Sequence, residues 1–437
     1  MPEFELSLEL GLGFVALAVA AYSIVARSLS RRSVSAAFSF VVIGAIFGGA
    51  GIGIMAEGLP DASSLGLLTE ITLALVLFSA ASTIRIRELE DDSTLVLRLL
   101  GLGLPLSIAL GTLLAFGLFP GISVGLALLL GAILAPTDAD LGHQVITDAS
   151  VPARIRRILN VESGLNDGIA APVVAVAVAI ASSTDLSGTN PVFDAVGELV
   201  VAAVVGIVIG GAGRYLLIKA AIRETASESA RKLFVLAIAL AAFFITAGLG
   251  GSGFIGAFVA GIVFGIGSKK RVQEATVFTE AQSVLLSIIV WLIFGLVLVQ
   301  EQVLANFEWR YFAYALVSLT LIRMLPVALS LAGARFDRVT LLFMGWFGPR
   351  GLASIVFVLL AAESLDRAGI DTGPLLPVVT WTVLLSVVLH GFSARPLARW
   401  FGNYAERLPP DSPEFEGDAE PKMRGSMMSH GSEDGTG

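Results

Sequence analysis

Long apolar runs recur along the whole chain, divided by short clusters of charge, Gly and Pro, and they are too continuous for amphipathic surface helices or half-buried strands. The runs lie near Leu8–Ala26, Val34–Gly53, Leu67–Ile84, Leu95–Leu118, Ile122–Val145, Ile158–Ser182, Val192–Leu217, Leu233–Ala247, Phe254–Gly267, Ala281–Val299, Phe312–Ala332, Leu341–Ala362 and Leu375–Phe392, thirteen in all. A helix that spans a bilayer needs about 20 apolar residues. The pattern therefore predicts an all-α polytopic membrane protein with about 13 transmembrane helices. Of 437 residues, 55% are hydrophobic and 15% charged, and the mean hydropathy is +0.85. Little chain is left for a soluble domain, so nucleic-acid binding and soluble enzymology are excluded. Glu3, Glu5 and Glu9 stand where a cleaved signal would carry basic residues, so the first run reads as a retained helix.

Charge orients this bundle. One alternate set of loops carries Arg27, Arg31, Arg32, Arg85, Arg87, Arg154, Arg156, Arg157, Lys219, Arg223, Arg231, Lys232, Lys269, Lys270, Arg271, Arg335, Arg338, Arg395 and Arg399, whereas the opposite set has only Arg310 and Arg367. Basic loops face the cytoplasm. This predicts an odd number of spans in the plasma (inner) membrane, with the N-terminus outside and the C-terminus cytoplasmic. Five of the eight excess negative charges fall in residues 401–437, where Pro, Gly and Ser replace large apolar residues. Residues 1–404 thus form the transmembrane domain, and residues 405–437 read as a disordered acidic tail. There is no cysteine, which excludes disulfides and thiolate metal sites.

Two runs are interrupted at mid-membrane depth. In the fifth, Leu128–Leu134 meets Ala135-Pro136-Thr137-Asp138-Ala139-Asp140; in the twelfth, Phe343–Phe347 meets Gly348-Pro349-Arg350-Gly351. Such breaks free backbone groups that only protein or a water-filled cavity can satisfy. The interrupted runs are seven apart, so they enter the membrane from opposite sides. That relation predicts an inverted-topology repeat pairing helices one to six with eight to thirteen, and paired broken helices point to a transporter's binding site. Two unrelated proline kinks are the alternative.

Ionisable side chains inside these runs are costly to bury and are functional candidates by default. Asp138, Glu162, Asp167 and Arg350 stand out. In Asn160-Val161-Glu162-Ser163-Gly164-Leu165-Asn166-Asp167-Gly168, the pairs Glu162/Asn166 and Ser163/Asp167 are one helical turn apart, which crowds four oxygen-bearing side chains into about two turns. Oxygen clusters bind hard cations; a hydrogen-bond network locking two helices is the alternative. Arg350 is expected to pair with Glu162, leaving Asp138 and Asp167 facing the pathway. Two nearby carboxylates in a low dielectric resist ionising together, so a proton would compete with a cation for the same oxygens.

Of the remaining residues, Asp140 could line a vestibule, Arg323 could equally snorkel or brace a neighbouring acid, and Glu280 could set a helix end. His143 could modulate a pH response, although a lone histidine is usually structural. Gly256 and Gly261 suit close helix packing. No His-Glu-x-x-His motif accompanies the three histidines, and no nucleophile–base constellation suggests a membrane enzyme. A cation channel with an acidic filter is a further alternative.

Ala135-Pro136-Thr137-Asp138, Glu162-Ser163-Gly164-Leu165-Asn166-Asp167-Gly168 and Gly348-Pro349-Arg350-Gly351 resemble the monovalent cation:proton antiporter superfamily, in its Asn-Asp branch of NhaP-type sodium/proton exchangers. Weaker likeness runs through Gly253–Gly261 and Phe278-Thr279-Glu280. The resemblance implies a homodimer in membrane lipid, with a moving core (near 95–183 and 311–393) and dimerisation helices (near 8–84 and 233–299). It implies exchange of Na⁺ or Li⁺ for H⁺ on Asp167 by elevator-like motion, with K⁺/H⁺ exchange as the alternative and no cofactor. Thr137 (through its carbonyl), Asp138, Glu162 and Ser163 would line the Na⁺ site with Asp167, and Arg350 would balance Glu162. Asn166, where an electrogenic branch has a second aspartate, implies electroneutral exchange. Ala139 departs from the family's usual proline, and Leu77–Ser82 from its Gly/Glu-containing run on the third helix.

Overall fold

The computed structural model describes residues 8–31, 33–47, 62–83, 92–182, 191–266, 270–304 and 307–416. The loop residues Arg32, Arg85, Arg87 and Lys269 and the tail from residue 417 onward lie outside that set. Every described element is helical, and each apolar run coincides with a helix or with two helices end to end. The first half comprises α1 (Leu8–Arg31), α2 (Ala36–Phe47), α3 (Ala62–Thr83), α4 (Ser93–Arg98), α5 (Leu104–Leu118), α6 (Val124–Ile133), α7 (Ala139–Ile146) and α8 (Ala153–Ser182). A connector, α9 (Pro191–Ile222), leads to α10 (Glu228–Gly248), α11 (Gly253–Gly265), α12 (Lys270–Ile293), α13 (Trp309–Leu319), α14 (Leu321–Ser330), α15 (Arg338–Trp346), α16 (Leu352–Arg367) and α17 (Leu375–Ala405). Among the described residues, nine helical stretches are long and apolar enough to cross a membrane, and three shorter apolar helices accompany them.

The halves correspond irregularity by irregularity. A π-helical turn at Leu99–Gly103 interrupts the fourth run between α4 and α5, and Thr320, at φ −109° and ψ −91°, interrupts the eleventh between α13 and α14. The fifth and twelfth runs are broken outright, into α6/α7 and α15/α16. The sixth and thirteenth are the long helices α8 and α17, each carrying an internal proline, Pro172 and Pro396. Three of the half-helix starts are capped by side chains: Ser123 Oγ accepts from Leu126 N, Asp138 from Asp140 N and Leu141 N, and Asp337 from Val339 N. Each cap satisfies amides that the helix itself leaves unpaired.

Glycine brings the remaining helices together. α11 packs between α9 and α3, where a Cβ on Gly210 would overlap the Ala260 carbonyl and one on Gly261 the Phe78 carbonyl. Gly256 lies against the Thr246 side chain on α10. In a membrane, where lipid removes the hydrophobic drive between helices, such backbone approach supplies the packing contacts. Residues 405–416 differ from the expectation of a disordered tail. Leu408 N donates to Ala405 O, Pro413–Phe415 forms a 3₁₀ turn, and Glu414 is 1% exposed. A buried acid on a polar segment is invisible to composition, which averages over its partners.

Candidate functional site

The two broken helices meet at their breaks. Asp138 N donates to Pro349 O at 2.8 Å, joining the interrupted strands of backbone directly. The Asp138 carboxylate faces two helix starts at once: Oδ1 accepts from Asp140 N (2.8 Å) and Leu141 N (3.1 Å) of α7, and Oδ2 accepts from Leu352 N of α16 (2.8 Å). Helix N-termini carry partial positive charge and unpaired amides, so one carboxylate neutralises both. Gly351 makes this possible, since a Cβ there would overlap the Asp138 side chain.

Carbonyl groups freed at the end of α6 are met from the opposite break. Arg350 Nη1 donates to Ala135 O (2.5 Å) and Pro136 O (2.8 Å), and Ser354 Oγ donates to Ile133 O (2.8 Å). Arg350 is fully buried, and its own amide donates to Ser386 Oγ on α17 (2.7 Å). The end of α15 is closed by His390 of α17, whose Nε2 lies 2.9 Å from Trp346 O and whose ring packs on the Trp346 indole at 5.1 Å. His390 and Ser386 were not singled out from sequence. A buried histidine one turn from a serine in an apolar helix carries no motif, and only the facing half-helix reveals its use.

α8 lies beside the crossing and carries the oxygen cluster. Thr137 Oγ1 and Ser163 Oγ are 2.8 Å apart, and Asn166 Nδ2 donates to Thr137 Oγ1 at 2.7 Å. Thr137 Oγ1 thus accepts from Asn166, and either hydroxyl can donate in the Thr137–Ser163 bond. All three side chains are buried. Asp167, one turn beyond Ser163, is half-buried and, with Glu162, is among the charges nearest Arg350.

Glu162 departs from expectation. Its two oxygens are held by Arg323 of α14, Oε1 from Nη1 at 2.5 Å and Oε2 from Nη2 at 2.9 Å, a bidentate pair with both side chains nearly inaccessible. The sequence reading paired Glu162 with Arg350 and set it among the cation ligands; in the structure it is the ion-pair partner of Arg323, and Arg350 serves backbone carbonyls. The physical reason is geometric. The fork of Arg323 matches a carboxylate two oxygens at a time, and Gly348 leaves room for it, because a Cβ there would overlap the guanidinium. Asp140 is solvent-exposed and His143 half-buried, both on α7 beyond the crossing. Among the described residues, no group of three or more His, Cys, Asp or Glu side chains could hold a metal ion.

Crossed broken helices within an inverted repeat, with a polar cluster on the adjoining helix, define a multi-pass membrane protein of the sodium/proton antiporter-like fold class. The chain belongs to the sodium/hydrogen exchanger family, whose transmembrane profile matches residues 14–400. It is 26% identical over 382 residues to the K(+)/H(+) antiporter NhaP of Alkalimonas amylolytica, covering 86% of this chain and 64% of that protein. It is 27% identical over 360 residues to the Na(+)/H(+) antiporter ApNhaP of Aphanothece halophytica, covering 78% and 66%. The chain thus spans a little under two thirds of the length of these relatives. In structure it resembles the sodium proton antiporter MjNhaP1 of Methanocaldococcus jannaschii at pH 8, with a TM-score of 0.71 and 20% identity, covering 92% of this chain and 99% of that one.

Proposed function

We propose that the protein is a secondary antiporter that exchanges Na⁺ or Li⁺ for H⁺, one for one, with cation and proton alternating on Asp167. The observation that carries this reading is the triad Thr137–Ser163–Asn166 beside the helix crossing, one turn from Asp167. Asp138 is engaged by three backbone amides and Glu162 by Arg323. Exchange of one cation for one proton on the Asp167 carboxylate leaves the site's charge the same in both loaded forms, and Asn166 adds no second charge. Turnover is therefore electroneutral.

Hydroxyl and amide oxygens around one carboxylate suit a hard monovalent cation. A proton needs a single oxygen lone pair, so the two ligands exclude each other. The further reading is of a homodimer in the plasma membrane, N-terminus outside and C-terminus cytoplasmic. In it the crossing and α8 move as a core against the glycine-packed helices, and no cofactor takes part. K⁺/H⁺ exchange on the same scaffold is the second reading, favoured by the relative from Alkalimonas amylolytica, which is described as a K(+)/H(+) antiporter.

The test is reconstitution into liposomes with a trapped pH dye and an acidic interior, followed by external Na⁺, Li⁺ or K⁺. A voltage clamp by valinomycin is included for the Na⁺ and Li⁺ series. Alkalinisation by Na⁺ and Li⁺ that is indifferent to the clamp is the expected result. Alkalinisation by K⁺ alone moves the function to potassium exchange, and steady cation current without proton movement replaces antiport with a channel.

A further inference from the structure

The segment that follows α17 is bound to the same elements that carry the site. Glu414 Oε1 accepts from Asp337 N (3.1 Å) and from Thr340 Oγ1 (2.8 Å), at the start of α15. Arg154, in the first turn of α8, donates to the Pro413 carbonyl and to Glu416 Oε2, and its Nε donates to Asp92 Oδ1 at 2.8 Å. Arg157 completes a second ion pair to Asp92, and the Arg154 guanidinium lies 5.4 Å from the Phe336 ring centre. Tyr404, at the end of α17, donates to Asp337 Oδ2 at 2.7 Å, and Phe401 stacks on Phe343 of α15 at 4.0 Å.

These contacts form a clasp across the starts of two helices. α15 is nine residues long and runs from Asp337, its cap, to the break that holds Gly348 and Arg350. From Arg154 to Glu162 on α8 is eight residues, or about 12 Å at 1.5 Å per residue. A short rigid helix displaced at its start is displaced at its end. Lining up α15 with α8 therefore sets how Gly348 meets Arg323, the partner of Glu162, and how Arg350 meets the Ala135 and Pro136 carbonyls that lead into Thr137 of the triad. Composition explains none of this, because a solvated acidic tail has no reason to bury Glu414 at 1% exposure.

We propose that Glu414 is a positioning residue for the cation site, acting through α15, and that the functional part of the acidic segment ends near residue 416. The inference rests on the antiport reading above and adds to it a device that holds the ligand geometry. A cation needs several oxygens at fixed distances, whereas a proton needs one. Loosening the clasp therefore weakens cation binding more than proton binding, and the competition between them shifts towards the proton. The charged groups around Glu414 are Asp337 and Arg338 of the α15 start, Arg154 and Arg157 of α8, Asp92 before α4, and Glu416 of its own segment, with Tyr404 on α17.

The experiment compares four forms in liposomes, with whichever cation gives wild type its largest signal: E414A, E414Q, a stop after Gly417 and a stop after Leu408. Gln keeps an oxygen for both the Asp337 amide and the Thr340 hydroxyl; Ala keeps neither. E414A and the stop after Leu408 are expected to raise the apparent KM for the cation by roughly three- to tenfold, the scale of one or two lost hydrogen bonds, and to move half-activity to higher pH. Vmax per folded protein should change less than KM. E414Q and the stop after Gly417 should match wild type in both readouts. If E414A is folded by thermal midpoint and elution volume yet keeps wild-type KM and pH profile, the positioning role is overturned. If E414Q fails as E414A does, the charge rather than the hydrogen bonds matters, and this mechanism is also overturned. Failure of the antiport reading is distinct, since wild type itself would then exchange no cation.

Discussion

The two broken helices look alike as sequence, each a Gly- or Pro-marked gap between apolar half-helices, yet they are completed by opposite charges. The break at Ala135–Asp138 exposes carbonyls to which Arg350, from the other break, donates. The break at Gly348–Gly351 exposes the α16 amides that Asp138, from the first break, satisfies. Each gap is closed by a side chain that the other supplies, and two glycines of the second break leave room for its neighbours: Gly351 for the Asp138 carboxylate and Gly348 for Arg323 of α14. Charges that close a backbone crossing are structural as well as electrostatic. A ligand that replaced either would have to dismantle the helices, and under the antiport proposal the exchangeable charge accordingly sits on the neighbouring continuous helix.

That division is broken most directly by exchanging the two aspartates for asparagine. Asp167→Asn should reduce cation-dependent proton movement to the level of empty liposomes while the thermal midpoint of the purified protein stays near wild type. Asp138→Asn should lower the midpoint as well, because it puts an amide group where the α7 and α16 amides need a charged acceptor. If Asp167→Asn still alkalinises vesicles at the wild-type rate, the exchanging carboxylate lies in the crossing after all.

The second largest effect concerns the ion pair beside the crossing. Glu162→Gln leaves Arg323 buried without its charge, and breaking a buried pair costs about 3–5 kcal/mol. Replacing both partners, Glu162→Gln with Arg323→Met, should recover part of that loss, since no uncompensated charge then remains. Chemical denaturation in detergent measures both. A double variant no more stable than the single one would show that the pair acts through more than charge balance.

How much of this was legible before the structure varies with the kind of signal. Span positions, the two breaks and the correspondence between halves follow from hydropathy and proline placement, because lipid forces the backbone to satisfy itself within the chain. Helical spacing puts Glu162, Ser163, Asn166 and Asp167 within about two turns of α8; in the structure Ser163 and Asn166 meet the Thr137 hydroxyl, while Glu162 turns to Arg323. Partner choice was not legible. Glu162 could face Arg350 or Arg323, and nothing in the spacing decides between arginines on different helices; the fork geometry and the space left by Gly348 do. His390 and Glu414 escaped notice for a related reason. Each looks ordinary in its own segment and acquires a role only against a half-helix distant in sequence.

Glycine substitution sharpens the comparison further. An alanine at 351 would press on a carboxylate fixed by three backbone amides, whereas an alanine at 348 would press on the end of a flexible arginine. Overpacking typically costs about 1–3 kcal/mol. Gly351→Ala is expected near the upper end with loss of transport, and Gly348→Ala lower. Equal losses would indicate that Arg323 is held as rigidly as Asp138.

The smallest expected effect lies at the far end of α15, where Asp337 is half-exposed. Its carboxyl is held below the ordinary carboxylate range, chiefly by the Tyr404 hydroxyl and also by the Val339 amide. A carboxylate whose folded pKa is depressed stabilises the protein fully above the unfolded value, and that contribution disappears as pH falls through the folded value. Asp337→Asn keeps an oxygen for the cap and removes only the charge, so it isolates this term. At neutral pH the variant should be less stable by no more than about 1 kcal/mol, since an exposed carboxylate is screened. On acidification below the ordinary carboxylate pKa of about 4, the difference between wild type and variant in thermal midpoint should close. A gap that persisted at the most acidic pH would mean that Asp337 acts through the shape of the cap rather than through its charge.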